Sequence, residues 1–387
     1  MREKMQMNIL VITDKPFPYG SAYSSRVRHF VLAFLEMGAK ITVLSANLDV
    51  DESERLGLQN VEYISMNYLQ NRITQLGIGV AKRYGDYVKK LMKEQEFDAV
   101  FVNSITYALP RICKISHENK IPVYVEKCEW YDESSFIFGK FNPYYREYIK
   151  EIDSVKPDGY ITISPLFDDY YKKKGFQSIC IPTIVDTGNI AYSEHGMSSK
   201  VRIVFSGSLG NGKELVKPIA ESIKRLGDKA RLFSFIFYGP TEEQIRNNIS
   251  DDGLFKEVKE NMTICGQIPQ TRVYGKLREA DFSIFLRENR RSSNAGFPTK
   301  LAESMAVGTP VITNTTGSIE KYLTTEKNGF LLQTATADEL TDVFYAILKL
   351  ENAKYRKMRF ESRKVAEENF DYRKYIEDLS SLFLGRK

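Results

Sequence analysis

The stretch Gly296-Phe-Pro-Thr-Lys-Leu-Ala-Glu-Ser-Met-Ala-Val-Gly-Thr-Pro-Val-Ile-Thr-Asn314 combines a tight loop, a short helix with one acidic residue and a buried strand. Pro298 suits the first helical position, Gly308 the residue just past the helix end, and Pro310-Val-Ile-Thr the restart of the chain as a strand. Amides at a helix start carry the positive end of the helix dipole and attract phosphate oxygens. Glu303 lies roughly one turn further in, and a carboxylate has acceptor oxygens for both hydroxyls of a ribose diol. These are groups that can grip a sugar nucleotide. The plainer alternative is an ordinary helix-to-strand link whose glutamate faces water.

A second loop with chemistry in it is Gly207-Ser-Leu-Gly-Asn-Gly-Lys213. The spacing Gly207-x4-Gly212-Lys213 comes close to a phosphate-cradling P-loop, which would make the chain an ATPase or GTPase. The next residue, however, is Glu214, where a P-loop needs Ser or Thr to hold magnesium. A carboxylate there would repel the phosphates. Further on, Glu126-Lys-Cys-Glu-Trp-Tyr-Asp132 sets three carboxylates around the only tryptophan. Asp49-Val-Asp51 imitates a metal-binding Asp-x-Asp, but it sits in a polar loop beside Glu52 and Glu54 and is read as chance, so no metal is expected.

These residues need a scaffold, and strand, helix and strand alternate along most of the chain, which points to parallel sheets with crossover helices. Ile9–Thr13, Lys40–Ser45, Ala99–Asn103, Pro122–Val125 and Gly159–Ser164 read as strands of one doubly wound half. Val27, Phe30, Val31, Phe34 and Leu35 recur at helical spacing, and Gly38 closes that helix. A second half runs through Val201–Ser206, Leu232–Tyr238, Met262–Ile264, Phe282–Leu286, Val311–Asn314 and Gly329–Leu332. The expected organisation is therefore α/β, with Rossmann-like domains over 1–185 and 201–367, a polar linker over 186–200, and a terminal amphipathic helix within 368–387.

Length and composition agree with this. At 387 residues the chain is long enough for two domains, and 42% hydrophobic with 27% charged residues is the balance of a folded enzyme. No apolar run approaches the ~18 to 20 residues of a membrane span, and the first residues do not resemble a signal peptide, so a cytoplasmic location is expected. Cys113, Cys128, Cys180 and Cys265 lack metal-site or disulfide spacing and read as buried free thiols. The net charge of +5 is too dilute to argue for nucleic acid. Between Tyr68 and Lys93, Arg72, Lys82, Arg83, Lys89, Lys90 and Lys93 alternate with apolar residues at helical spacing. That face can rest on anionic headgroups at the inner side of a membrane, or simply face water.

The segment ending at Glu303 resembles the donor-site signature of the retaining GT-B glycosyltransferases, in the large family-four group, in the variant reading Phe-Pro-Thr-Lys-Leu before the glutamate. The resemblance extends over nearly the whole chain and is strongest from Val201 to Leu332. It implies the GT-B fold: two Rossmann-like domains facing across a cleft, with the C-terminal helix crossing back onto the first. It also implies transfer of a sugar from a nucleotide donor, UDP- or GDP-type, to a glycan acceptor, often lipid-linked, in surface polysaccharide synthesis, without a metal cofactor.

Carried over residue by residue, the resemblance assigns Gly207, Ser208 and Lys213 to the pyrophosphate loop and Ile268, in Gly266-Gln-Ile-Pro269, to the loop against the donor base. Gly296, Phe297, Pro298, Thr299, Lys300, Leu301 and Glu303 form the rest of the donor site. Two departures stand out. The family's first glutamate falls on Ala295, for which Asn294 or amides near Phe297 are the substitutes; its loop arginine falls on Ser208, so Lys300, or else Arg287, must supply the second positive charge. Gly20, Ser21, Tyr23 and Arg26 lie in the loop that meets the acceptor. Relatives place a histidine where Glu126 falls, so Glu126 or Glu129 would orient the acceptor hydroxyl and take its proton, unless they serve structure. A sugar-nucleotide epimerase of the same architecture, and a donor-binding subunit without catalysis, remain as alternatives.

Overall fold

The computed structural model describes residues 7–46, 48, 49, 58, 60–66, 77–103, 105–133, 136, 138–209 and 214–385. The chain forms two compact units, Met1–Ile184 with Tyr372–Lys387, and Val185–Asp371.

The first unit contains β1 (Asn8–Thr13), β2 (Phe17–Pro18), β3 (Lys40–Ser45), β4 (Leu48–Asp49), β5 (Val61–Ser65), β6 (Ala99–Asn103), β7 (Val123–Lys127), β8 (Gly159–Thr162) and β9 (Ser178–Cys180). Its main sheet is parallel with the order β5-β3-β1-β6-β7-β8-β9. Ile9, Leu10, Val11 and Ile12 are all buried, as expected where helices cover both faces of a parallel sheet. The strand order reverses between β1 and β6, whose carboxyl ends Thr13 and Asn103 are register partners, and such a reversal opens a crevice for ligands. The helix Ala22–Glu36 starts on Ser21, whose hydroxyl accepts from the Ser24 amide at 3.2 Å, and it buries Val27, Phe30, Val31 and Phe34. Asp49 lies in β4, while Val50 and Asp51 of the Asp-x-Asp fall outside the described residues.

The last helix, Ile376–Leu384, belongs to this first unit. Leu379, Leu382 and Phe383 enter its core, with the Phe383 ring centroid 4.1 Å from that of Tyr124 and 5.1 Å from that of Phe34. Burying each of these side chains contributes about 1.5–3 kcal/mol.

The second unit holds β10 (Val201–Ser206), β11 (Phe233–Tyr238), β12 (Met262–Gly266), β13 (Phe282–Ile284), β14 (Val311–Asn314) and β15 (Gly329–Leu332), in a parallel sheet ordered β12-β11-β10-β13-β14-β15. The reversal here falls between β10 and β13. With these two parallel sheets and their helices the chain has the two-domain α/β architecture called GT-B.

Two expectations differ from the structure. Residues 186–200, read as a linker from their polar composition, pack into the second unit. Arg363 donates to the carbonyls of Thr187 at 2.7 Å and Ile190 at 3.1 Å, and Arg359 donates to Ser193 O at 3.1 Å. These donors lie far along the chain on the helix Asn352–Asn369, so no local signal announced them. The unit accordingly runs on to Asp371 and not 367. The cysteines also differ: Cys113 and Cys128 are buried, but Cys180 is half-buried and Cys265 exposed. Cys265 lies on β12, an edge strand, where alternate residues face solvent.

Arg359 is fully buried and also donates to Ala280 O at 2.9 Å and Tyr355 Oη at 3.1 Å. Replacing it by Met leaves several buried acceptors unsatisfied. Arg359→Met should lower stability by about 2–4 kcal/mol in denaturant titration; an unchanged midpoint would show that the 186–200 strap does not depend on it.

Candidate functional site

In the second unit the reversal point is built on glycine. Gly207 follows β10 at φ +137°, and its amide donates to Tyr238 O at 2.9 Å. A Cβ at Gly207 would lie 2.5 Å from Lys300 Cε, and one at Gly239, itself at φ +111°, would lie 2.2 Å from Gly207 O. Only glycine permits both the dihedral and the approach. The consequence is that the Lys300 stem lies directly across Gly207. Its ammonium pairs with Glu214 Oε1 at 2.9 Å and stands 5.4 Å from the centre of the Phe205 ring. Glu214 is fixed by its backbone: Asn248 Nδ2 donates to Glu214 O at 2.9 Å, the Val216 amide donates to Asn248 Oδ1 at 2.7 Å, and the Leu215 amide donates to Leu286 O at 2.8 Å.

Lys300 comes from the helix Thr299–Ala306, capped by Pro298 one residue earlier than its expected first turn. No side chain caps this start and no acidic residue stands in its first turn; the Leu301 amide donates to Pro298 O at 3.1 Å, which leaves the Thr299 and Lys300 amides and the dipole to meet an anion. Gly308 at φ +76° ends the helix and donates to Met305 O at 2.9 Å. Glu303 projects from the same helix. Burial pushes its carboxyl up to about 7, against the opposing pull of the Lys300 ammonium. None of the described residues donates a hydrogen bond to it, and its side chain keeps partial contact with solvent.

The remaining donor-site expectations divide. Lys213 falls outside the described residues. Ser208 is exposed, and Ile268 is half-buried after β12. Phe297 and Leu301 turn into the core, Phe297 forming an aromatic cluster with Tyr322 and Phe370 at 5.4 and 5.6 Å, so only their backbones can face a ligand. Asn294 does not stand free to replace the missing glutamate: its Nδ2 donates to Asn289 Oδ1 at 2.7 Å and its Oδ1 accepts from the Gly317 amide at 3.1 Å. Gly296 lies against Gly317, where a Cβ would come within 2.5 Å of Gly296 O. Arg287 is buried, its backbone clasped by Asn314 at 2.8 and 2.9 Å, and its Nη1 reaches Ser293 O at 3.5 Å. Among the described residues, Lys300 is therefore the cation poised at Gly207.

In the first unit the structure reassigns Arg26. It is buried and donates from Nε to Glu126 Oε1 at 2.7 Å, from Nη2 to Ile181 O at 2.8 Å, and from Nη1 to Pro182 O. It holds the scaffold together and does not face an acceptor. Glu126, at the end of β7, receives Asn103 Nδ2 on its other oxygen, so both its oxygens are already engaged within the fold. Glu129 is half-buried and takes a hydrogen bond from Tyr23, whose phenol is pushed above its usual range by burial and by neighbouring groups that include Glu129. Gly20, at φ +123°, shapes the turn that delivers Ser21 and Tyr23.

Glu126 and Glu129 line a small pocket with Thr106, Tyr131, Tyr144 and Tyr148. The sequence reading missed these tyrosines, although Asn142-Pro143, a helix start, and Tyr144 and Tyr148, four apart on one helical face, signal them. Beneath the cavity Lys127 pairs with Glu151; burial disfavours the lysine's charge, but the carboxylate outweighs it and holds the ammonium protonated.

Comparisons with known proteins bear on the whole chain. Residues 200–350 match the family model described as Glycosyl transferases group 1. No curated protein sequence matches. Among solved structures, sucrose-phosphate synthase from Thermosynechococcus elongatus superposes with a TM-score of 0.75 at 14% identity, covering 98% of this chain and 99% of that one. TarM gives 0.74 at 12% identity over 98% and 99%, and Anabaena HepE in complex with UDP-glucose gives 0.69 at 15% identity over 97% and 100%. At such identities the likeness is one of fold.

Two outcomes follow from this geometry. Arg26→Met leaves the Glu126 carboxylate buried without its cation and should destabilise the first unit by about 3–5 kcal/mol, read by denaturant titration; a loss below about 1 kcal/mol would return Arg26 to the candidates for acceptor binding. For Glu303 the folded carboxyl is raised from its ordinary 4.5 to about 7, so its contribution to stability is fully present at low pH and lost as pH rises through 7. The neutral Glu303→Gln should therefore melt progressively higher than the unmodified chain as pH goes from 5 to 8. A difference independent of pH would show that the carboxyl is not desolvated.

Proposed function

We propose, from the match of residues 200–350 to the group 1 glycosyltransferase model, that the chain moves a sugar, with retention at the anomeric carbon, from a UDP- or GDP-type donor to a hydroxyl of a lipid-linked glycan in the building of a surface polysaccharide. The observation that carries the donor half is Glu303. A desolvated carboxylate without a hydrogen bond among the described residues, on the helix whose uncapped start supplies free amides, suits a ribose diol and its adjoining diphosphate. HepE, solved with UDP and with UDP-glucose, supports a uridine donor. The likeness to WaaB, a lipopolysaccharide outer core galactosyltransferase, supports a surface-glycan acceptor.

Breaking the anomeric C–O bond leaves oxocarbenium-like charge on the sugar and negative charge on the diphosphate. Lys300, the helix-start amides and Lys213 would stabilise the latter, a role worth most where the groups are fixed before the reaction. For retention, a departing phosphate oxygen takes the acceptor's proton while the new bond forms on the same face. Glu129, already hydrogen-bonded to Tyr23, would orient the acceptor hydroxyl, whereas Glu126 is committed to Arg26 and Asn103. This reading uses no metal. Among the described residues no helix is long and apolar enough to cross a membrane; contact with anionic lipid would fall to the exposed Lys82, Lys89, Lys90 and Lys93 of the helix Gly77–Glu94.

The test is incubation with a panel of nucleotide sugars, with and without lipid-linked acceptor, scoring nucleoside diphosphate release and donor isomerisation together. Acceptor-dependent release supports the proposal. Isomerisation without an acceptor identifies an epimerase, and binding without turnover a donor-binding subunit. Glu303→Ala should weaken donor binding by about 1–3 kcal/mol; unaltered affinity removes the diol role.

A further inference from the structure

We propose that Glu214 is the counter-ion from which the donor diphosphate must draw Lys300, and that it thereby sets how readily the nucleoside diphosphate product leaves the second unit. The inference rests on the donor reading above and deepens it. The Lys300 stem lies where a Cβ on residue 207 would fall, which brings its ammonium over Gly207. Glu214 is anchored through its main chain, since Asn248 and Leu286 hold the backbone at 214–216. The 2.9 Å pair is mostly buried, with side-chain exposures of 17% for Lys300 and 10% for Glu214, so solvent screens it little.

A diphosphate approaching Gly207 therefore meets a cation that is already paired and, beside it, a carboxylate of its own sign. In the empty site the pair lowers the cost of keeping an ammonium away from water. In the filled site Glu214 opposes the phosphates and takes Lys300 back as they leave. Product departure limits turnover in many enzymes, so a built-in competitor for the phosphate-binding cation favours release over retention. The contrary role, in which Glu214 merely aims Lys300 at the phosphates, predicts the opposite sign on removal, and this makes the two separable.

Isothermal titration of the full chain with UDP, GDP and ADP, and with uridine, guanosine and adenosine as phosphate-free controls, decides between them. Glu214→Gln should bind the accepted diphosphate about tenfold more tightly, with a slower off-rate in stopped flow, nucleoside affinity unchanged, and the gain shrinking as salt is raised. In turnover the same variant should show a lower donor KM together with a lower kcat. Glu214→Ala must give the same sign, which guards against a folding defect in either variant alone. Diphosphate affinity that is equal or weaker in variants with normal melting curves overturns the inference while leaving the donor reading intact. If the unmodified chain binds none of the three diphosphates, the donor reading fails and this inference with it.

Discussion

The close approach of the Lys300 side chain to Gly207 is the contact on which the donor site depends. It exists because two glycines, Gly207 and Gly239, hold dihedrals that other residues avoid and lack the Cβ atoms that would separate the ends of β10 and β11 from their neighbours. With those ends closed, the lysine lies across Gly207. The ammonium then stands at the point where the strand order reverses, which is where an open α/β sheet offers its crevice. Backbone conformation, packing and charge placement are consecutive steps of one chain of causes.

Electrostatics separates the working groups from the supporting ones. Arg26 and Glu126 form a buried pair whose further hydrogen bonds go to Asn103 and to two carbonyls, and such a satisfied network is rigid and inert. Lys300 instead lies near two carboxylates of different status: Glu214, with which it pairs, and Glu303, which receives no hydrogen bond from a described residue and whose proton affinity is raised. A desolvated group left without a partner costs stability and is retained where a ligand completes it. The same contrast recurs in the first unit between the committed Glu126 and the half-buried Glu129 on the wall of the tyrosine-lined cavity.

Much of the fold was legible in the sequence because parallel strands buried on both faces appear as apolar runs, as Ile9–Thr13 and Val201–Ser206 do. The unit around Glu303 was legible because its punctuation is local: Pro298, Gly308 and Pro310 each act on adjacent backbone. Pairings at long range were not legible. Nothing near residue 26 shows that its guanidinium meets Glu126, and nothing near 190 shows that Arg363 will clasp it. Glu214 was read as a charge hostile to phosphate, which is sound chemistry, but its partner on a helix 86 residues away emerged only with the fold. The bonds of Asn294 to Asn289 and Gly317, and of the Arg287 backbone to Asn314, were hidden for the same reason, since they join loops and strand ends that the linear pattern leaves apart.

The most direct test of the central claim is hydrogen exchange of the full chain with and without saturating UDP or GDP, read residue by residue. If the mouth of the second unit grips a diphosphate, amide exchange should slow at Thr299 and Lys300, at the start of the helix that bears Lys300 and Glu303. Protection confined to other segments, with these amides exchanging as in the free chain, would contradict the account.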